Sequence, residues 1–255
     1  INILTKGCVK SMFKSEIRDS TISELLEKAA NRNYGCYLSK LVLKHVRGFS
    51  NEPVSFDFPV TALIGPNGGG KTTILGAAGC AYKQVAPKRF FAKSGQYDEN
   101  MQNWSIEYEI IDRTINKKDA IRRTASFRNF RWNRESLDRP VLIFGVERTV
   151  PANERVELRR CASTNFEIQD RQIEELSVLV REVVARILGK DLKGFRKLSI
   201  DTNGRVFLLT GKTKDGYSYS EFHFGAGESS IIRMVSQIEL ACDQTLVLIE
   251  EIENG

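Results

Sequence analysis

Nine consecutive residues, Gly65-Pro-Asn-Gly-Gly-Gly-Lys-Thr-Thr73, carry the spacing G-x-x-x-x-G-K-[ST]. Each residue type in it has a use if the ligand is a nucleoside triphosphate with its magnesium ion. The glycines let the backbone wrap the phosphates, so that amides around Asn67, Gly68 and Gly70 converge as an anion nest. A helix opening at Lys71 would point its positive N-terminus at the same oxygens. Lys71 can reach the β and γ phosphates, Thr72 offers a hydroxyl to Mg2+, and Thr73 continues the first helical turn. The bland alternative is a glycine-rich turn that happens to contain Lys-Thr. The apolar run Val60–Ile64 before the loop, which has the pattern of a buried parallel strand, argues for the first reading.

A second group of chemistry-bearing residues lies near the end of the chain. Leu246-Val-Leu-Ile249 is followed by Glu250 and Glu251. Adjacent carboxylates at the end of a buried strand suit a metal ligand and a water activator. Glu250 would hold Mg2+ through its water shell, and Glu251 would orient the attacking water. The competing reading is that the acids only cap a core strand. Asp is usual at the first position, and Glu250 is longer by one methylene.

These residues need a scaffold, and its elements are legible in the hydrophobic periodicity. Thr21-Ile-Ser-Glu24 has the form of a capping box opening a short helix. Tyr37–Val46, Val54–Phe58, Trp104–Ile111 and a polar-aromatic stretch over Ala120–Trp132 read as strands, the last two paired. Lys71 to about Gln84 reads as a helix whose small residues let it lie against a sheet. Pro140–Gly145 reads as a buried strand and Gln169–Leu188 as a helix. Asn203-Gly204 marks a hairpin between Leu198–Ile200 and Val206–Leu209, and Asp215-Gly216 a second turn. Ser229–Ala241 reads as a helix and Thr245–Ile249 as the last strand. The expected fold class is α/β, one continuous lobe with an antiparallel β part.

Composition narrows the setting. The chain has 255 residues and a formal net charge of +6. No apolar run approaches the length that spans a bilayer, so no membrane partner is expected and the cytoplasm is the expected location. Five scattered cysteines (Cys8, Cys36, Cys80, Cys161 and Cys242) without a C-x-x-C pair suggest reduced thiols rather than disulfides or zinc. His45 and His223 are far apart and suit packing or surface roles. The chain opens on Ile1 and stops at Gly255 inside the acidic motif. It is therefore expected to be a piece of a longer protein.

Four ordered stretches carry a family resemblance. The loop Gly65–Thr73 resembles that of ABC-type ATPases. Leu41-Val-Leu-Lys-His-Val-Arg-Gly-Phe49 resembles the first strand and basic turn of the SMC, RecF and OLD branch. Phe224-Gly-Ala-Gly-Glu-Ser-Ser230 lies where that family has its signature motif, and Ile249–Gly255 resembles the acidic strand and following loop of OLD-like ATPases. The resemblance implies a P-loop NTPase fold, an ABC/SMC-type head with a mostly parallel core sheet and an antiparallel β subdomain. Residues 37–255 would form this head, incomplete at the C-terminus, and 1–36 a helical extension. It implies catalysis by Glu251 with Lys71, Mg2+ on Thr72 and Glu250, and Lys44 and Arg47–Phe49 near the base and ribose of ATP. Gln96 and Gln102 are the candidates for the family's glutamine loop, and the switch histidine would lie past residue 255.

The resemblance further implies a homodimer or higher oligomer closed by an ATP sandwich, the signature of one subunit covering the γ-phosphate of another. Gly225 stands where the family has a serine. The phosphate contact would then fall to backbone amides around Gly227 or to Ser229, and hydrolysis would be slow. Stretches 60–83 and 224–255 are most similar to ATPase subunits of bacterial anti-phage systems of the PARIS and Septu types, which implies an effector partner such as a nuclease. The alternatives are a DNA repair or recombination ATPase of the RecF or SMC kind, a transporter subunit and a non-catalytic interaction module. The basic turn and the absence of a Leu-Ser-Gly-Gly-Gln signature weigh against transport.

The segment 113–160 holds thirteen positive against six negative side chains. Phe127, Phe130 and Trp132 interleave with Arg128 and Arg131, as on a strand with one basic and one aromatic face. DNA or RNA contact, a protein interface and a solvated face over an aromatic core all fit this pattern.

Overall fold

The computed structural model describes residues 18–99, 101–202, 204, 206–213 and 215–252. Cys8, Asn203 of the expected hairpin and the last three residues of the acidic motif lie outside them. The chain forms two compact units. One takes the chain up to Val141 together with Gln244–Leu246. The other takes Leu142–Asp243 and continues from Val247.

The first described element of the first unit is α1 (Asp19–Ala30). Arg18, not a capping-box residue, is its N-cap, and Thr21-Ile-Ser-Glu24 lies inside the helix. Glu24 instead pairs with Lys28 one turn on at 3.0 Å. Next come β1 (Cys36–Lys44), β2 (Glu52–Ser55), α2 (Lys71–Cys80), β3 (Trp104–Asp112), β4 (Ile121–Arg128) and β5 (Arg131–Arg134). The five strands form one sheet in the order β2-β1-β3-β4-β5. Every neighbouring pair in it is antiparallel.

The polar-aromatic stretch is thus two strands, not one. Asn129 and Phe130 take left-handed φ values of 49° and 60° and turn the chain between them. One face of the sheet, carrying Leu41, Leu43, Ile106, Tyr108, Ile110, Ala125 and Phe127, is buried. The helix α2 lies on this face, where Tyr108 Oη donates to the Ala77 carbonyl at 3.1 Å. On α2, Gly76 leaves room for the ring of Phe90, which a Cβ there would meet at 2.5 Å.

Expected to run to about Gln84, α2 stops at Cys80. The chain beyond it pairs elsewhere, Lys83 N–H with the Leu137 carbonyl at 2.9 Å and Leu137 N–H with that of Ala81 at 3.0 Å. The guanidinium of Arg134 then collects the carbonyls of Cys80 (3.3 Å), Tyr82 (3.1 Å), Lys83 (3.3 Å) and Val85 (2.7 Å). Cys80 ends α2 and the other three follow it, so the cation satisfies the carbonyls of the chain leaving the helix and opposes the helix dipole.

Two expectations about parallel strands are corrected. Val60–Ile64 is not a strand, and Val60 and Ile64 are 77% and 60% exposed. A five-residue run between Pro59 and Pro66 holds strand geometry only with a ladder partner. No strand pairs with it among the described residues. Nor is the main sheet parallel. Parallel pairing is confined, among the described residues, to an isolated Tyr82–Leu137 bridge and to β6 (Val141–Phe144) with β11 (Leu246–Ile249). In that pair Leu246 N–H bonds the Pro140 carbonyl at 2.9 Å and Glu250 N–H that of Phe144 at 2.8 Å, the same sequence offset at both ends.

The second unit adds β7 (Ile173–Glu175), α3 (Val178–Leu188), β8 (Arg196–Ser199), β9 (Phe207–Lys212), β10 (Ser218–Ser220) and α4 (Ala226–Glu239). The predicted helix over 169–188 is shorter because Ile173–Glu175 pairs with β8, and Ser177 caps the start by accepting from Val180 N–H at 3.1 Å. The expected hairpin joins β8 and β9, and the Asp215-Gly216 turn leads into β10. These strands form an antiparallel sheet in the order β10-β9-β8-β7. Its core joins Phe195, Phe207 and Leu209 to Val180 and Val184 of α3 and Ile232 of α4.

Candidate nucleotide-binding site

The phosphate loop belongs to the first unit. Gly69 N–H bonds the Pro66 carbonyl at 3.0 Å, closing a turn in which Gly68 has φ 76°. Positive φ at the third position of such a turn is the conformation that favours glycine. Gly70, at φ 88°, is the N-cap of α2. The helical ladder starts with Ile74 N–H on the Gly70 carbonyl at 3.0 Å, so the amides of Lys71, Thr72 and Thr73 precede it. A Cβ at Gly65 or Gly68 would meet nothing within 4 Å, so this side of the loop is open.

Lys71 Nζ donates to the carbonyls of Gly65 (2.8 Å) and Pro66 (3.1 Å), arching its ammonium over the loop. Asn67 and Thr72 are exposed, and Thr73 is buried. Arg47, which takes a left-handed φ of 52°, donates to Thr73 Oγ1 at 2.9 Å and to the Phe90 carbonyl at 2.7 Å. Its guanidinium also lies 5.2 Å from the Phe91 ring centroid. The basic turn therefore packs on the phosphate loop. Lys44 points elsewhere, pairing with Glu107 at 2.5 Å. Gln96 and Gln102 are both exposed in the segment before β3.

For the metal, the first unit offers the hydroxyl of the exposed Thr72. No group of three or more His, Cys, Asp or Glu side chains among the described residues could hold an ion. A single hydroxyl beside a phosphate loop suits Mg2+, which keeps several waters and takes substrate phosphate oxygens rather than a protein cage.

The acids follow β11. Arg148 donates from Nη1 to the Glu250 carbonyl and from Nη2 to the Glu251 carbonyl, each at 2.6 Å. Glu251 has φ 45°, a left-handed conformation uncommon outside glycine. Sequence reasoning counted Arg148 only among the charges of the basic segment. Nothing in its local pattern marks it, because its partners are about a hundred residues away.

The signature segment opens α4. Gly225 is an exposed N-cap with nothing within 4 Å of a Cβ, and the ladder begins with Ser229 N–H on the Gly225 carbonyl at 3.1 Å. The amides of Ala226, Gly227 and Glu228 thus lie ahead of the ladder, where an anion can meet them. The Ser229 hydroxyl does not. The residue is 4% exposed, and its hydroxyl donates to Glu221 Oε1.

Glu221 is the hub that sequence reasoning missed. Arg233 meets it with two prongs, Nε to Oε1 at 2.7 Å and Nη2 to Oε2 at 2.5 Å. Leu209 N–H donates to Oε2 at 3.1 Å, and Arg155 Nη1 approaches Oε1 at 3.4 Å. Burial pushes the Glu221 carboxyl up. The hydrogen bonds and charge of Arg233, with Ser229 and the Leu209 amide, outweigh this and hold it below its ordinary value. Burial lowers the pKa of Arg155, and Arg233 lowers it further, against Glu221 and Glu157.

Much of the basic segment is committed inward. Arg113 donates to the carbonyls of Lys117 and Arg32, Arg139 to that of Gln244, Arg155 to that of Val150 and Arg160 to that of Ile200. With Arg134 and Arg148, these arginines satisfy backbone acceptors. Phe127 and Trp132 pack together, and Trp132 lies on Phe91. Lys117, Lys118, Arg122 and Arg159 are exposed, as is the hairpin tip, where Arg128 and Arg131 lie opposite one another beside Phe130 at 77% exposure.

No helix among the described residues is long and apolar enough to cross a membrane. A search of curated proteins found no match. The AAA-domain family matches residues 40–182, more than half of the chain and inclusive of the phosphate loop, its helix and the antiparallel sheet from the middle of β1 onward. The chain belongs to the AAA-domain family of ATPases.

Proposed function

We propose that this chain binds MgATP at Gly65–Thr73 and hydrolyses it slowly, with bound ATP closing a homodimer that holds an effector in anti-phage defence. The observation that carries nucleotide binding is the loop: two left-handed glycines, three amides ahead of the α2 ladder, Lys71 arched over them and the open side at Gly65 and Gly68. In this reading Lys71 neutralises the β and γ phosphates and Thr72 ligates Mg2+. Glu250 supports the metal through water, and Glu251 holds the attacking water. Arg47 braces Thr73 behind the loop. With the Ser229 hydroxyl turned inward, the amides around Gly227 take the γ-phosphate of the partner subunit, which suits ATP as a dimer clamp more than fast turnover.

The defence setting and the effector rest on the resemblance of 60–83 and 224–255. A nucleic-acid partner would meet the outward cations rather than the whole basic segment, and the hairpin tip joins two of them to an exposed aromatic ring. A DNA repair ATPase is the reading that strong stimulation of turnover by DNA would favour instead.

The test is MgATP binding by titration calorimetry, with sedimentation velocity to read self-association. Lys71→Ala is expected to weaken binding by about 1.5–3 kcal/mol, the worth of a hydrogen bond to a charged group. It should also abolish ATP-dependent association. Equal affinity in wild type and variant removes the loop as the nucleotide site.

A further inference from the structure

The second unit contains an unbroken hydrogen-bonded path that no motif announces. It starts on α4, where Ser229 and Arg233 hold the carboxylate of Glu221. Arg155 Nη1 approaches Glu221 Oε1 at 3.4 Å, and its Nη2 donates to the Arg148 carbonyl at 3.0 Å. The guanidinium of Arg148 ends the path on the carbonyls of Glu250 and Glu251. Glu221 and Arg155 are buried, so neither can change partners without exposing or orphaning a charge.

The end of the path is where a clamp matters. The chain leaves β11 at Ile249, and Glu251 stands in a left-handed φ that a non-glycine residue adopts only at a cost. A two-pronged donor on consecutive carbonyls fixes the peptide planes on both sides of that residue. It thereby fixes the direction in which the Glu251 side chain leaves the backbone. A lysine would serve both carbonyls from one freely rotating nitrogen, whereas the planar fork of arginine meets each with its own N–H at a fixed spacing.

We propose that Arg148 is a positioning residue for the Glu250-Glu251 pair and that Arg155 and Glu221 link its setting to the first turn of α4. An event at the α4 N-terminus would then reach the acids of the same chain through four side chains rather than through the strand. The inference rests on the ATPase reading above, in which Glu251 orients water and the α4 N-terminus meets the phosphate of a partner subunit.

Steady-state hydrolysis and MgATP binding on the full chain test it. Arg148→Ala should lower kcat about a hundredfold, the scale expected when a reacting group is misplaced by about 1 Å. KM and the MgATP dissociation constant should stay within about twofold, because the phosphate loop is untouched. Arg148→Lys, which keeps the charge and a single donor point, should fall between and serves if the alanine variant does not fold. The double variant Arg148→Ala/Ser229→Ala should show a kcat loss smaller than the product of the single losses, because both cut one path.

An unchanged kcat in both Arg148 variants overturns the positioning role and leaves the ATPase reading intact. A parallel decline of kcat, MgATP affinity and melting temperature also overturns it, as general loosening. Multiplicative losses overturn the linkage to α4. A wild-type chain without turnover overturns the ATPase reading, and this inference with it.

Discussion

The ring of Phe49 fills the space that a side chain at Gly70 would need: a Cβ there would stand 2.5 Å from Cζ and 2.7 Å from Cε2 of that ring. Gly70 also has φ 88°, so glycine is required on two counts. The basic turn after β1 and the phosphate loop are therefore fitted to one another. Gly70→Ala should destabilise the first unit by about 1–3 kcal/mol through overpacking and left-handed strain. The double variant Phe49→Ala/Gly70→Ala removes the collision but not the strain, so it should recover part of the loss caused by Gly70→Ala. Urea unfolding midpoints of the three variants check this, and full additivity would separate the two residues.

Arg134 is expected to behave as a helix cap rather than a ligand contact. Arg134→Ala strips a cation from the carbonyls at the end of α2 and should cost about 1.5–3 kcal/mol in denaturant unfolding. At a temperature where the variant is folded, its affinity for single-stranded DNA should equal that of the wild type. A selective loss of DNA affinity without loss of stability would reverse the assignment.

The hairpin tip makes the opposite prediction. Arg128 and Arg131 are directly opposed, a like-charge placement that disfavours the hairpin, and Phe130 holds a φ of 60° that suits glycine. Phe130→Gly should raise stability by up to about 1 kcal/mol, the left-handed cost to an L-residue less the extra chain entropy of glycine. If the tip takes a single strand, the same change should weaken binding by about 1–3 kcal/mol through lost stacking. Arg128→Glu/Arg131→Glu should then reduce the salt dependence, lowering the slope of log affinity against log salt by at least about 1.4. Fluorescence anisotropy with a labelled oligonucleotide at several salt concentrations reads both. Unaltered affinity in these variants removes nucleic acid from the tip.

Glu221 gives the second unit an acid limit. Its folded pKa is held below the ordinary carboxylate value, so the stability it supplies is present at neutral pH. It is lost as pH falls through the ordinary value toward the folded one. Glu221→Gln removes the charge that two arginines face and should cost about 3–5 kcal/mol, as when one partner of a buried pair is taken away. The wild type should lose stability between neutral and acid pH more steeply than the variant. Equal slopes in pH-dependent unfolding would show that Glu221 carries no linked proton.

Glu251→Gln should leave MgATP binding intact and slow hydrolysis enough to trap the nucleotide. Retention of labelled ATP after gel filtration checks the outcome, and normal turnover would remove Glu251 from the catalytic role.

The sequence by itself determined whatever depends on near neighbours. The glycine spacing of 65–70 prescribes the left-handed turns observed at Gly68 and Gly70, and the start of α2 at Lys71 follows from it. Alternation over 104–111 prescribes a half-buried strand, and the turns after Ile200 and at Asp215-Gly216 prescribe the antiparallel sheet of the second unit. Tertiary structure decided what depends on distant partners. Val60–Ile64 has the composition of a buried strand, but strand geometry needs a ladder partner, and the structure leaves the run exposed. Charge counting treats the arginines of 113–160 alike, yet Arg134 and Arg148 satisfy carbonyls supplied by residues about 50 and about 100 positions away, while Arg128 and Arg131 face water. Position in the signature segment makes Ser229 one of two candidates for the phosphate contact, and the buried carboxylate of Glu221 draws its hydroxyl inward. Hydrogen-bonding groups are identical in sequence whether they meet solvent, backbone or ligand, and only the packing of distant segments selects among the three.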